Sequence, residues 1–163
     1  MQPQKLDHSD FGPFFDADSE LLILGSFPSV KSREAKFFYG HPQNRFWRVI
    51  AAVFDVPAPQ TLEEKKAFLS AHHIALYDVI EACTIVGSSD SSIRDVRAAD
   101  IRPILAGSRV SRVFCNGGTA YALYEKHIYP VSGAAAVKLP STSPANAAWS
   151  LDRLTSAWRE AIL

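Results

Sequence analysis

The 163-residue sequence predicts an α/β fold, a three-layer α/β/α domain around a central four-stranded parallel sheet, and three observations predict it. Four short apolar runs, at 21–24, 74–78, 110–115 and 137–140, suit strands buried on both faces. Helical spacing separates them, and strands that alternate with helices build parallel sheets. The hydrophobic content of 47% over this length supports one core and one domain, spanning 1–163 with an acidic arm over 1–19.

Each element has its own signal. Leu21, Leu22, Ile23 and Leu24 form the first strand, and Gly25, Ser26, Pro28 and Ser29 force a turn after it. From Arg45, the residues Phe46, Ile50, Val53 and Phe54 recur at helical spacing, with Asn44 as a suitable cap. Thr61 followed by Glu64 is a capping box, opening a helix that runs to about His72. Ile74 to Asp78 is the second strand. Val79 to Ala99, rich in Ser and Asp, reads as a long loop with a short helical turn, and loops of that length in compact domains are usually functional. Asp100 caps a short helix with Pro103 in its first turn, where a missing N–H costs nothing. Val110 to Cys115 is the third strand, Gly118 to about Ile128 a helix, and Val137 to Pro140 the fourth strand. A last helix places Leu151, Leu154, Trp158 and Ile162 on one face.

The formal net charge is zero, so composition alone suggests no nucleic-acid partner, but the distribution does. Residues 1–20 carry a net charge of −4, whereas residues 31–48 carry +4 and residues 94–112 carry +3. In the 31–48 segment Lys31, Arg33, Lys36, Arg45 and Arg48 interleave with aromatics, the composition expected where bases stack and phosphates are neutralised. Two cysteines, Cys83 and Cys115, are too few for a disulfide framework or an iron–sulfur cluster and read as buried thiols. No stretch approaches the roughly 20 apolar residues of a membrane span, and the first residues lack a signal-peptide layout. The expectation is a cytoplasmic, nucleoid-associated protein. No His, Cys or acid stands at metal-ligand spacing around His41, so neither metal nor other cofactor is expected.

Four loops leave the strands at one edge of the predicted sheet, where active sites of open parallel sheets lie. The first holds Gly25 to Ser29 and then Phe37-Phe-Tyr-Gly-His-Pro-Gln-Asn-Arg-Phe-Trp47. The second holds Leu76-Tyr-Asp-Val-Ile80 and Asp90-Ser-Ser-Ile93, the third Val113-Phe-Cys-Asn-Gly117, and the fourth Leu139-Pro-Ser-Thr-Ser-Pro-Ala-Asn146. On these motifs, in this order, the sequence over roughly residues 20–160 resembles the uracil-DNA glycosylase superfamily, most closely its hypoxanthine-DNA (deoxyinosine) glycosylase branch. The resemblance implies a parallel sheet of order 2-1-3-4 and a monofunctional glycosylase that removes a deaminated base, most plausibly hypoxanthine, during base excision repair.

It also implies roles for particular residues. Asn44 is the catalytic candidate, since an amide can orient water or hydrogen-bond the sugar or base; a plain helix cap is the alternative. Phe27, Tyr39 and Asp78 are the base-binding candidates: Tyr39 to stack on the flipped base, Asp78 to accept from N1–H of hypoxanthine unless it only organises its loop. DNA contact is expected from Ser26, Ser29, Lys31, Ser32, His41, Ser141, Ser143 and Pro144, with Ser143 and Pro144 placed as the wedge that fills the gap left by the base. The sequence departs from other branches at Phe27, where they carry Asp, Asn or Glu, and at Leu139, where relatives often carry His or Asn. The implied partner is double-stranded DNA containing a deaminated base, with single-stranded DNA a further candidate, no membrane, and a monomeric chain. Uracil or mismatched bases as substrates, or a non-catalytic module that binds damaged DNA, are the competing readings. A nucleotide-binding domain is disfavoured because the sequence has no Gly-x-Gly-x-x-Gly loop.

Overall fold

A computed structural model describes residues 4–8, 11–85 and 94–163. The Asp90–Ile93 motif lies outside the described residues.

Two sheets organise the described chain. The central one is parallel, with neighbours in the order β3 (Ile74–Asp78), β2 (Leu21–Gly25), β6 (Arg112–Asn116) and β7 (Ala136–Leu139). Strands β2, β3 and β6 are apolar on both faces: Leu22, Ile23, Leu24, Leu76 and Phe114 are all essentially inaccessible to solvent, which removes both sides of the sheet from water there. Register pairs Ile23 with both Leu76 and Phe114, and it sets Gly25 beside Asp78 and Asn116 beside Leu139. The carboxyl ends of all four strands therefore finish in one row.

A second, antiparallel sheet has the order β1 (Gln4–Asp7), β4 (Ile80–Ile85) and β5 (Arg94–Ala98). This corrects the expected loop over 79–99. Its first part is a strand that continues almost directly from β3, guided by Val79 N–H to Gly25 O at 2.7 Å and Ile80 N–H to Ser26 O at 3.0 Å. Counted along the chain without β1, the central sheet is ordered 2-1-5-6 instead of the expected 2-1-3-4, because β4 and β5 intervene. Within the acidic arm lies β1, whose pairing sets Asp7 opposite Ala82 and leads to His8, anchored by its N–H to Glu81 O at 2.9 Å.

The helices are α1 (Val30–Ala35), α2 (Phe46–Val53), α3 (Leu62–Ala71), α4 (Arg102–Ala106), α5 (Gly118–Leu123), α6 (Tyr129–Ser132) and α7 (Leu151–Ile162), with a π-helical segment at Tyr124–Ile128 between α5 and α6. The capping box at α3 is formed from both sides, Thr61 Oγ1 accepting from Glu64 N–H and Glu64 Oε1 from Thr61 N–H. Helix α2 packs on α7, with the Phe46 and Trp158 rings 5.8 Å apart and edge to face. Trp158 also donates its indole N–H to Pro140 O at 2.9 Å, so α7 braces the segment leaving β7. Of the four apolar residues expected on one face of α7, Leu154, Trp158 and Ile162 are buried, whereas Leu151 is 37% exposed.

Candidate active site

A cavity of about 320 Å³ opens at the carboxyl ends of the parallel strands, walled by the loops after β2, β3, β6 and β7. Its size falls in the range of small-ligand pockets. Asn44, Phe27, Tyr39, Asp78, Ser26, Ser29, Ser32, His41, Ser141, Ser143 and Pro144, eleven of the twelve residues singled out in the sequence, line it. Lys31 does not. It is exposed, with its ammonium 3.6 Å from Glu34.

A chain of hydrogen bonds fixes one wall. Asn116 Oδ1 accepts from Thr142 N–H at 3.0 Å, so its amide nitrogen must donate, and it does so to Tyr39 Oη at 3.2 Å and Thr142 Oγ1 at 3.0 Å. Thr142 Oγ1 in turn donates to Asn44 Oδ1 at 2.8 Å. The same carbonyl oxygen accepts Phe46 N–H at 2.9 Å, at the first turn of α2. Helix α2 begins two residues after Asn44, so Asn44 supplies the expected cap-like contact from just outside the helix. Because two backbone N–H groups orient the two amides, both are set without ambiguity. Asn44 has its acceptor occupied, and its NH₂ group has no partner among the described residues.

Tyr39 sits between this wall and the floor. Its backbone is left-handed, with φ +55°, a sparsely populated conformation for a bulky residue and the kind of strain that gathers at functional sites. One ring face lies on Phe46, with centroids 4.0 Å apart and planes 15° apart. Burial pushes the phenol pKa up, and the charge of Asp78 adds to the shift. Phe37 and Phe38 beside it are both buried in the core, at 6% and 2% exposure, so Tyr39 is the member of the aromatic run that carries a polar group into the cavity.

On the floor, Asp78 closes β3. Its Oδ2 lies 2.8 Å from His8 Nε2, and the two side chains are 5% and 2% exposed. Its Oδ1 has no partner among the described residues and stands over Gly25, where even a methyl group would come within 2.5 Å of it. Glycine at 25 is required by that close approach.

The remaining polar residues shape the loops. Ser32 is 3% exposed, and its hydroxyl accepts from Gly40 N–H at 2.9 Å and from the Ser29 hydroxyl at 3.1 Å. It therefore organises the loop from the cavity wall. Arg45 is withdrawn from the phosphate-neutralising set: its guanidinium donates to the carbonyl oxygens of Trp149, Ser143 and Asn146, the last two at 3.1 Å, and clamps the segment that follows β7. Ser141 Oγ accepts Ser143 N–H at 3.1 Å, and Pro144 is exposed on the rim. Leu139 is 2% exposed and packed in the core. Cys83 and Cys115 are buried free thiols, and burial pushes Cys115 up to about 12. Among the described residues no group of three or more His, Cys, Asp or Glu is placed to hold a metal ion, and no helix is long and apolar enough to cross a membrane.

Three residues that hold the site together escaped the sequence reading. In the sequence Asn116 stands out only as part of the Val113–Gly117 motif, and Thr142 only as part of the Leu139–Asn146 motif. Asn116 closes β6 and Thr142 lies three residues beyond β7, and that placement in the motifs after the strands was the available signal. His8 carried none, being one histidine in an acidic segment.

A family model of the uracil DNA glycosylase superfamily matches residues 13–162. The chain belongs to the uracil DNA glycosylase superfamily. Among its relatives in the superfamily, a protein of Methanosarcina acetivorans named hypoxanthine DNA glycosylase is 34% identical over 149 residues, 91% of this chain and 93% of the relative. A second protein of that name, from Methanosarcina barkeri, is 34% identical over 86 residues, covering 52% of this chain and 54% of its own. The solution structure of a candidate uracil DNA glycosylase from Methanosarcina acetivorans superposes with a TM-score of 0.78 at 32% identity, covering 93% of both chains. Superfamily membership places the cavity at the strand ends in a family of DNA glycosylases.

Proposed function

We propose that the protein is a monofunctional DNA glycosylase that hydrolyses the N-glycosidic bond of a deaminated base, hypoxanthine above others, after the nucleotide is flipped out of DNA. The observation that carries this reading is Asn44, which lines the cavity: its carbonyl is engaged by Phe46 and Thr142, which leaves its two N–H groups as the donors it can offer a ligand. Glycosidic cleavage leaves the bonding pair on the base and a cationic sugar, which water then captures. A fixed donor can stabilise the departing anion without accepting a proton, the electrostatic role that a preorganised group performs best. Asn44 therefore acts by donation, to the leaving base or to the oxygen of the attacking water.

The other residues complete the reading. Tyr39 holds the base, and Asp78 reads its Watson–Crick edge through the free Oδ1. Ser26, Ser29, His41 and Ser141 engage the DNA backbone near the lesion, and Ser143 with Pro144 fills the gap in the stack. Lys31, outside the cavity, contacts phosphate at longer range. The three-layer α/β/α arrangement and action as a monomer on double-stranded DNA belong to the same proposal. Two curated relatives carry the name hypoxanthine DNA glycosylase, which favours hypoxanthine over uracil.

Matched duplexes carrying one deoxyinosine, deoxyuridine, deoxyxanthosine or thymine mismatch, treated with enzyme and then alkali, test the proposal. Strand cleavage strongest at deoxyinosine is expected. Cleavage confined to deoxyuridine would overturn the choice of base, and no cleavage by folded protein that binds the lesion would favour a damage-binding module.

A further inference from the structure

His8 presents an accounting of protons that its surroundings resolve. Its Nδ1 lies 2.9 Å from Phe11 O, and a carbonyl can only accept, so Nδ1 carries a hydrogen. Its Nε2 lies 2.8 Å from Asp78 Oδ2 in a nearly dry setting. A bare imidazole nitrogen facing a bare carboxylate oxygen at that distance would set two lone pairs against each other. One more proton must therefore lie between them, and the pair as a whole is neutral. Four rings surround the imidazole: Phe11, Phe27, Phe38 and Tyr77, with centroids 4.8, 5.9, 6.1 and 4.7 Å away. They exclude water from the pair.

The groups facing His8 come from several elements. Asp78 approaches from β3 and Glu81 from β4, with Glu81 itself 3.9 Å from Arg97 of β5. Burial would lower the imidazole pKa, but the Asp78 hydrogen bond and charge, the Phe11 carbonyl and Glu81 outweigh it, and the net shift is upward from 6.5. Stabilisation from the pair is thus fully present below about pH 6.5 and is lost as pH rises through the raised value.

We propose that His8 is a positioning residue for base excision: it holds one oxygen of Asp78, offsets its negative charge beside the departing base, and leaves Oδ1 to accept an N–H from the Watson–Crick edge. The inference rests on the glycosylase reading above. It has a consequence for choice of base. Hypoxanthine, xanthine and uracil carry an N–H where Oδ1 would accept, whereas adenine carries a lone pair at N1 and would be repelled. An unneutralised carboxylate would also oppose the negative charge that the leaving base acquires.

Single-turnover excision of deoxyinosine across pH 5.5–9 (roughly the span in which a perturbed histidine titrates) tests this with the wild type, His8→Gln, Asp78→Asn and the double variant, each checked for folding by thermal melting. The wild-type rate should fall on the alkaline side, at a pH above 6.5. His8→Gln keeps a donor to Asp78 but no charge; it should be slower on the order of tenfold at neutral pH and lack that limb, whereas in the Asp78→Asn background the same change should cost less than about threefold. In parallel, ¹⁵N NMR of the wild type should show His8 titrating above 6.5 and moving down in Asp78→Asn; this arm needs no variant at position 8. A folded His8→Gln with the wild-type rate and limb, equal cost in both backgrounds, or a His8 that titrates at or below 6.5 overturns the inference while leaving the glycosylase reading intact. Failure of the wild type to excise at any pH overturns that reading and the positioning role with it, while the NMR arm still decides the shared proton.

Discussion

The two sheets divide the work of the site differently. The parallel sheet supplies its walls: the Asn116, Thr142 and Asn44 chain and the loops around Tyr39 all hang from its carboxyl ends. The antiparallel sheet supplies one ionisable side chain, His8, placed by the pairing of β1 with β4 against the last residue of β3. Polar side chains locked by backbone groups hold geometry at any pH. A buried histidine–carboxylate pair holds geometry only while it keeps its proton.

Substitutions can break or sharpen that contrast. The largest effect is expected at Asn44: Asn44→Ala should lower single-turnover excision of deoxyinosine by about 100-fold or more, the scale of losing one preorganised donor, with DNA affinity in a gel-shift assay nearly intact. Equal loss of affinity would make Asn44 structural. Gly25→Ala strikes where the two regions meet, since the added methyl would lie 2.5 Å from Asp78 Oδ1 and displace the carboxylate held by His8. A loss of roughly tenfold to 100-fold is expected there, the cost of misplacing a group by about an ångström, together with loss of the alkaline limb. Thr142→Val keeps the shape of a fully buried side chain but frees Asn44 Oδ1 from one of its two donors. About tenfold slower excision with an unchanged pH profile would place it in the pH-independent wall. The smallest effect belongs to Lys31→Ala: excision at saturating DNA should be unaltered, while the slope of log affinity against log salt falls by about one if Lys31 meets a phosphate.

How much of this was readable in the sequence follows from how each element meets solvent. Strands buried on both faces leave uninterrupted apolar runs, so Leu21 to Leu24 and Ile74 to Asp78 were legible, as was the Thr61 capping box, whose two partners are three residues apart. β5 reads Arg-Asp-Val-Arg-Ala, with Val96 and Ala98 only half-buried, and a largely solvated strand of that kind has almost no hydrophobic signature. The long loop expected there was therefore a strand pair in part. Motif residues at the parallel strand ends were legible because they cluster in sequence. Partnerships were not: His8 meets a carboxylate 70 residues away, and Arg45, counted among the phosphate-binding cations, turns its terminal guanidinium nitrogens to carbonyls about 100 residues distant. A cation's partner is a property of the folded chain.

The central claim is that Asn44 works as a donor, its acceptor already engaged. Single-turnover release of hypoxanthine by the wild type, Asn44→Ala and Asn44→Asp tests it most directly. Aspartate keeps the size and the acceptors of asparagine and lacks its N–H groups, so it should be no faster than alanine. An Asn44→Asp variant that retains or exceeds the wild-type rate would mean that the residue draws a proton from water, and would contradict the account.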